Sequence, residues 1–164
     1  MSEVWVVNAS PLITLAKIGR LDVLCDAGRE VVVPSAVARE VLAGPVDDAA
    51  AAAVRGPLAA LVADHADLSS VIEWGLGAGE TAVLSVAIGR SAKAVVDDRE
   101  ARSAASALKV PTLGTIGVVI LARAEGRIPS AAAVLRRLRE VGLRLDDRLV
   151  QTALSRLVGE SWTP

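Results

Sequence analysis

Hydrophobic and polar positions alternate along the chain in blocks that predict strands followed by helices. Short apolar runs rich in β-branched residues stand at positions 4–7, 31–33 and 94–96, as is typical of buried strands. After the first run, apolar residues recur at helical spacing from about Pro11 onward. Strands that alternate with helices predict a mainly parallel sheet with helices on both faces, an α/β/α arrangement.

The remaining segments extend this pattern to the end of the chain. We predict further helices at about residues 35–42, 80–89, 101–108, 115–125, 130–141 and 146–158. Residues 47–63 favour helix in two pieces, residues 71–74 a short strand or loop, and residues 111–113 a last strand. The alanine run at 49–53 is expected to be an exposed helix. We expect one domain over residues 1–164, with a core of about 3–126 and a helical extension of about 130–158.

Composition narrows the chemistry that this chain can perform. Its 164 residues include one His, one Cys, no Tyr and no Phe. A zinc site with several His and Cys ligands, or a disulfide within the chain, cannot be built from this set. Three Trp residues are too few for the stacked aromatics with which sheet-based modules read RNA. An enzyme of this composition is expected to use carboxylates, hydroxyls, backbone groups and a hard metal ion.

No segment favours export or membrane insertion. Residues 1–7 contain Glu3 and lack the basic stretch and long apolar run of a secretory signal. The longest apolar run, residues 110–122, is interrupted and shorter than the roughly 20 residues that a membrane-spanning helix needs. We expect a cytoplasmic protein.

Oxygen-bearing side chains follow the predicted strands, where ligands bind in parallel sheets. The first strand ends at Asn8, with Ser10 just beyond, and a later one ends at Asp97 and Asp98. Two glutamates are expected on the same side of the sheet. Glu80 opens a helix after a glycine segment, and Glu40 lies on the helix after the second strand. Such carboxylate and amide oxygens suit Mg²⁺ or Mn²⁺.

Each of these residues also has a simpler interpretation. Asp97 or Asp98 could cap the helix that follows, and Glu80 is favoured in a first turn by the helix dipole. Glu40 could be a solvated helix residue and Asn8 a turn residue. Only their joint placement favours a cation site. The glycine segment at residues 75–79 departs from the dinucleotide pattern, because its spacing is GxGxGE.

Charge is unevenly distributed along the chain. Residues 1–82 hold 5 basic and 11 acidic side chains, whereas residues 83–164 hold 13 basic and 8 acidic ones. The arginines of the second half suit phosphate contacts, although they could equally lie on solvated helix faces. They include Arg99, Arg102, Arg123, Arg127, Arg136, Arg137, Arg139, Arg144 and Arg148.

The aromatic residues and the histidine are expected to be structural. Trp5 is expected in the core, and Trp74 is expected to pack rather than line a groove. Trp162 is expected in a tail that is frayed or docks on a partner, and His65 at the surface.

Five ordered motifs resemble the PIN-domain proteins, and more narrowly a formerly uncharacterised prokaryotic subgroup related to VapC toxins. They are residues 7–13, residues 33–37 with Glu40, and residues 77–82, 96–102 and 114–118. The resemblance spans about residues 4–158 and implies a Rossmann-like α/β/α domain with Mg²⁺- or Mn²⁺-dependent ribonuclease activity. It also implies an RNA substrate, a small antitoxin partner and a homodimer.

The resemblance assigns roles to residues. Its acidic cluster corresponds to Asn8, Glu40, Glu80 and Asp98 as metal ligands, with Asp97 a substitute or helper for Asp98. The three ligand acids and Asp97 are the catalytic candidates. Ser10, Arg99, Arg102 and Thr115 are candidates for substrate binding. The family usually has Asp at the first position, so Asn8 supplies an oxygen ligand without its charge.

Three hypotheses follow. The first is a metal-dependent endoribonuclease toxin, and the second a catalytically weak or inactive PIN relative that binds RNA or protein. The third is a phosphatase-like hydrolase with Asp97 or Asp98 as nucleophile, which is disfavoured because the first strand supplies no Asp.

Overall fold

The computed structural model describes residues 3–25 and 28–164, so the first two residues of the 1–7 segment lie outside it. The described part contains five strands. They are β1 (Val4–Val7), β2 (Glu30–Pro34), β3 (Val62–Ala63), β4 (Lys93–Val95) and β5 (Thr112–Leu113). The helices are α1 (Ala9–Lys17), α2 (Asp22–Cys25), α3 (Ser35–Leu42), α4 (Ala49–Arg55), α5 (Ser69–Ile72), α6 (Ala78–Arg90), α7 (Arg99–Ala107), α8 (Thr115–Ala124), α9 (Ala131–Glu140) and α10 (Asp147–Val158).

The five strands form one sheet in the order β3-β2-β1-β4-β5, and every pairing is parallel. Val6 at the centre lies opposite Val32 on one side and Ala94 on the other, and all three are buried. Such strands have both faces covered, which explains their continuous apolar sequences. The predicted parallel α/β architecture is confirmed.

Strand order reverses between β1 and β4, because the chain first builds outward from β1 through β2 and β3 and then returns to its other side. A reversal of this kind opens a crevice at the carboxyl ends of the two strands. Helix α6 packs across β1, β2 and β4 and also against α3. The fold therefore brings the starts of α6 and α7 close to the ends of β1 and β4.

One hydrophobic core runs through the described residues. Its largest fully buried side chains include Trp5, Leu12, Leu84, Leu135 and Leu154. Trp5 is in the core as predicted. Helices α9 and α10 contribute to the same core by packing on α8.

Two local predictions are wrong. For residues 71–74 neither alternative, strand or loop, holds throughout: α5 ends at Ile72 and a turn follows, in which the Trp74 N–H donates to the Val71 carbonyl at 3.0 Å. The second piece of residues 47–63 is not helix throughout, because a single 3₁₀ turn (Ala59–Leu61) leads into β3. Pairing with β2 overrides the helical propensity of these alanine-rich residues.

The alanine run at 49–53 is a helix, but it is not exposed as predicted. Ala50, Ala51 and Ala53 are buried, and α4 packs against α1 and α3. Methyl side chains let helix axes approach closely, so this run acts as a packing face rather than a solvated one.

Candidate active site

The predicted site residues meet at the crevice between β1 and β4. A cavity of about 400 Å³ is lined there by Asn8, Ala9, Ser10, Ile13, Glu40, Glu80, Asp97 and Asp98. Asn8 follows β1, Asp97 and Asp98 follow β4, and the two glutamates project from α3 and α6. The structure thus brings together the six residues that the strand-end argument selected, Ser10 included.

Asn8 is the most buried member, with 3% of its surface exposed. Its backbone N–H extends the sheet by donating to the Val95 carbonyl at 3.0 Å, and it holds the N-cap position of α1 without a side-chain capping bond. The side-chain Nδ2 donates to Glu80 Oε1 at 3.2 Å. The Oδ1 atom is buried and has no hydrogen-bond partner among the described residues. A buried acceptor without a partner costs about 1–3 kcal/mol, so this oxygen is suited to a ligand.

Gly79 allows Glu40 and Asn8 to approach one another. A Cβ atom at this position would lie 2.6 Å from Glu40 Oε2 and 3.1 Å from Asn8 Oδ1. Both oxygens therefore converge on one point at the first turn of α6, although Glu40 as a whole is exposed. Desolvation and then the negative charge of Glu80 raise the pKa of Glu40. The glutamates thus repel one another while the amide of Asn8 tethers Glu80.

Asp97 is held rigidly by its neighbours. The Thr115 backbone N–H donates to Oδ1 at 2.7 Å, and the Thr115 hydroxyl donates to Oδ2 at 2.6 Å. Ser10 Oγ donates to the same Oδ2 at 3.2 Å. Thr115 is fully buried, and its N–H and hydroxyl both donate to Asp97. The prediction that Thr115 contacts substrate is therefore wrong. Asp97 connects the ends of β1, β4 and β5.

Asp98 has a different environment from Asp97. Its Oδ2 accepts the Ala101 N–H at 2.9 Å and caps α7, so the capping alternative applies to Asp98. The side chain is exposed and also lines the cavity, and Oδ1 makes no hydrogen bond within the described residues. Capping and a cation-binding role are therefore compatible in one carboxylate.

The two arginines predicted to bind substrate lie at the start of α7. Arg99 and Arg102 are exposed and form no ion pair within the described part of the chain. Arg102 approaches the backbone of Gly114, where an added Cβ would lie 2.7 Å from Nη1 and 3.2 Å from Asp97 Oδ1. Arg102 and Asp97 also line one end of a second cavity of about 570 Å³ beside β5 and α8. Neither arginine lines the acidic crevice itself, so contact with a substrate stays a prediction for both.

Most other arginines of the second half have structural partners. Arg137 donates to the Ile18 carbonyl at 2.7 Å, and Arg123 pairs with Glu160 at 3.3 Å. The guanidinium carbons of Arg136 and Arg139 lie 5.4 and 5.1 Å from the ring centroid of Trp162. Trp162 is therefore buried against its own chain, and neither predicted alternative, fraying or docking on a partner, applies. Arg123, Arg136 and Arg139 thus fix the C-terminal segment.

His65 is tied to the protein surface by polar contacts. Its Nε2 lies 3.2 Å from Asp67 Oδ1, and Nδ1 lies 3.5 Å from Ser35 Oγ. The second distance is at the limit of a hydrogen bond, so the contact with Ser35 is weak. We interpret the contacts as anchoring the loop after β3 to the start of α3.

The donor set fits a hard divalent cation. Among the described residues, no group of three or more His, Cys, Asp or Glu side chains is placed to hold a metal ion by itself. At this site one donor is an amide, and the unpaired Asn8 Oδ1 stands with Glu40 Oε2 around Gly79. Carboxylate and amide oxygens in an open crevice are what Mg²⁺ or Mn²⁺ needs alongside its waters. The predicted ligands Asn8, Glu40, Glu80 and Asp98 all line this crevice, and their role as ligands stays a prediction.

Comparisons with known proteins place this geometry in context. A family model described as a PIN domain, DUF3368, matches residues 4–160. The crystal structure of PAE2754 from Pyrobaculum aerophilum superposes with a TM-score of 0.48 at 19% identity, covering 70% of this chain and 92% of that one. No curated protein matches the sequence significantly. Within residues 3–25 and 28–164, no helix is both long and apolar enough to cross a bilayer.

Proposed function

Because this chain belongs to the PIN-domain family, whose members are generally metal-dependent nucleases, we propose that it is a Mg²⁺- or Mn²⁺-dependent endoribonuclease. One observation carries the proposal. Glu40, Glu80, Asp97 and Asp98 line one crevice, and none forms a salt bridge within the described ranges. Uncompensated acids around a partnerless buried oxygen are explained by a cation that completes the site.

Each residue has a distinct part in this proposal. A bound divalent ion would supply Lewis acidity toward the scissile phosphate and would ease deprotonation of the attacking water. Asn8, Glu40, Glu80 and Asp98 bind and position it. Asp97 is a positioning residue, which keeps β1, β4 and β5 in register through Ser10 and Thr115.

Arg99 and Arg102 contribute a positive field at the edge of the crevice. They orient the RNA phosphate by charge-assisted hydrogen bonds from the first turns of α7. The RNA backbone is thereby held against the acids despite their negative charge.

The test is RNA cleavage with Mn²⁺ by the unmodified protein and by Asp98→Asn. Asn caps a helix about as well as Asp, so this change removes the charge and keeps the α7 cap. We expect cleavage to fall by at least about 100-fold. Asp146→Asn is the matched control, because Asp146 caps α10 through Leu149 N at 3.0 Å and lies outside the crevice lining. Equal cleavage by Asp98→Asn, or none by the unmodified protein with any divalent ion, contradicts the proposal.

The presence of Asn8 favours a second candidate, a catalytically weak or inactive PIN protein that binds RNA or protein. The side-chain amide of Asn8 brings no negative charge to its ligand position, and it already donates a hydrogen bond to Glu80. A metal titration separates the two candidates. RNA or partner binding in the absence of any divalent-ion binding at millimolar concentration would favour the binding module.

We propose further that the protein is the cytoplasmic toxin of a type II toxin-antitoxin pair, acting as a homodimer. The support is the resemblance of the five motifs to the VapC-related subgroup. Expression alone is expected to arrest growth, Asp98→Asn to relieve the arrest, and co-expression of a small neighbouring open reading frame to do the same. Normal growth on expression of a soluble, RNA-cleaving protein would contradict the toxin role.

A further inference from the structure

Trp74 differs from the other two tryptophans in its exposure. The Trp5 ring contacts the Arg29 guanidinium, and the Trp162 ring contacts those of Arg136 and Arg139 while its Nε1 donates to Asp147 at 2.8 Å. Trp74 is 45% exposed, and within the described residues its ring has no cation or hydrogen-bond partner. The expectation that it packs is therefore wrong, and a large apolar surface remains in contact with water.

The turn that carries Trp74 is well fixed, so its exposure does not come from a loose loop. The Trp74 N–H donates to Val71 O and the Gly75 N–H to Ile72 O, both at 3.0 Å. Gly75 has a φ of +65°, which redirects the chain toward α6. Val71 is fully buried and anchors the turn in the core. The indole is consequently presented at low entropic cost for a ligand.

Trp74 stands close to the acidic crevice along the chain. Three peptide units separate it from Gly77, so the two Cα atoms are at most about 11 Å apart. A Cβ at Gly77 would lie 2.6 Å from Glu80 Oε2. A nucleic-acid strand with one phosphate at the acids covers that distance within about three nucleotides, at roughly 3.4 Å of rise each.

A groove adjoins the acidic crevice at residues 77–80, which follow the Trp74 turn in the chain. A cavity of about 370 Å³ is lined by Ala36, Arg39, Glu40, Gly77, Ala78, Gly79 and Glu80. It shares Glu40 and Glu80 with the acidic crevice. Arg39 is exposed and forms no ion pair in the described ranges. The groove thus has backbone and small residues along its floor, and a free cation at its side.

We propose that Trp74 stacks on a base of single-stranded RNA leaving the acidic crevice over residues 77–79, and that Arg39 contacts its phosphate. The identity of the ligand rests on the proposed ribonuclease function. A single aromatic accepts any base because every base has a π-face, so this subsite adds affinity and selects single strands without reading sequence. A duplex keeps its bases stacked on one another and gains nothing from Trp74.

The test measures binding of a labelled single-stranded RNA of about eight nucleotides by fluorescence anisotropy, in EDTA and again with Ca²⁺. Trp74→Ala is expected to weaken binding by at least about fivefold, and Trp74→Phe to retain most of it. Binding of a duplex of equal length should not change. Ile72→Ala is the matched control, because Ile72 is 54% exposed on the same turn and offers no π-face. Arg39→Ala should lower the slope of log K against log salt by about 0.7.

Unchanged single-strand binding by Trp74→Ala, equal losses by Ile72→Ala, or no RNA binding by the unmodified protein in either condition would overturn the inference. Intact RNA binding together with altered self-association of Trp74→Ala would assign the surface to a protein partner instead, which also overturns it. Cleavage is scored separately with Mn²⁺. Unchanged RNA binding by Trp74→Ala in a protein that cleaves RNA refutes this subsite alone, whereas Trp74-dependent binding without cleavage refutes only the nuclease proposal.

Discussion

In the described part of the chain, acidic residues are paired with arginine or lysine at one end of the parallel sheet and unpaired at the other. At the amino end, Glu3 binds Arg29 at 3.0 Å and Lys93 at 2.9 Å, and Glu125 binds Arg29 at 2.8 Å. At the carboxyl end, Glu40 and Glu80 share a crevice in which no described residue forms a salt bridge with them. The first cluster is neutralised within the fold, and the second is not.

Their pKa directions express the same difference. Hydrogen bonding to Arg29 lowers the pKa of Glu125 to about 2, whereas desolvation and Glu80 raise the pKa of Glu40. A paired acid stabilises the folded state when charged, and an unpaired one destabilises it. The amino-end acids therefore stabilise the fold through their ion pairs. The carboxyl-end acids do not, and a bound ligand would account for their presence.

The largest expected contrast between the two ends is in catalysis. Glu80→Gln should reduce Mn²⁺-dependent RNA cleavage by about 100-fold or more, because it removes a ligand charge. Glu125→Gln makes the same chemical change at the amino end and should leave cleavage within about twofold. A gel assay on one RNA compares them, and equal effects would remove the functional distinction between the two clusters.

A smaller effect is expected from crowding the acidic end without changing its charge. Gly79→Ala places a methyl group against Glu40 Oε2 and Asn8 Oδ1, and we expect Mn²⁺ affinity to fall about tenfold or more. Gly89→Ala is the control, since the same helix offers open space there. That change should stabilise the protein by up to about 1 kcal/mol and spare metal binding. Calorimetry measures the Mn²⁺ affinity of both variants. Unaltered Mn²⁺ affinity of Gly79→Ala would show that the atoms next to Gly79 do not belong to the cation site.

A carboxylate in place of the Asn8 amide should lower the stability of the metal-free protein and raise its metal affinity. In Asn8→Asp, the donor to Glu80 Oε1 at 3.2 Å becomes a second negative charge. We expect the metal-free protein to lose about 1 kcal/mol of unfolding free energy and to bind Mn²⁺ more tightly. Urea unfolding in EDTA measures the loss of stability, and the added stability with Mn²⁺ measures the gain in metal affinity. Greater stability in EDTA than the unmodified protein would show that the acids there do not repel one another.

The smallest expected effect is in the pH dependence of stability, where the two ends differ in sign. Glu125, with a pKa lowered from 4.5 to about 2, stabilises the fold above 4.5, and this stability is lost as pH falls toward about 2. Glu40 has a raised pKa, so its contribution is present below 4.5 and is lost as pH rises through the folded value. Glu125→Gln should weaken the fall in stability on acidification from neutral pH to about pH 3, and Glu40→Gln should steepen it. Unfolding titrations at both pH values check the signs, and identical profiles would contradict the comparison.

Sequence patterns were sufficient for the parts that depend on strand ends. Asn8, Asp97 and Asp98 follow β-branched runs, and carboxyl ends of parallel strands necessarily meet at one edge. The anchoring of Asp97 by Thr115 was not predictable in this way, because it depends on the register of β4 and β5, in which Val95 lies opposite Leu113.

Other features were missed because tertiary contacts decided them. β3 has only two residues within an alanine-rich segment, and its pairing with β2 determines its conformation. The exposure of Trp74 depends on how the turn after α5 leaves the core, which hydrophobicity alone predicts in the opposite sense.

Calorimetric titration of Mn²⁺ into the unmodified protein, with Asp98→Asn beside it, tests most directly whether the carboxyl-end acids form a cation site. We expect binding by the unmodified protein that Asp98→Asn weakens by about tenfold or more and that Glu125→Gln leaves unchanged. An absence of Mn²⁺ and Mg²⁺ binding at millimolar concentration, or equal affinity of Asp98→Asn and the unmodified protein, would contradict the account.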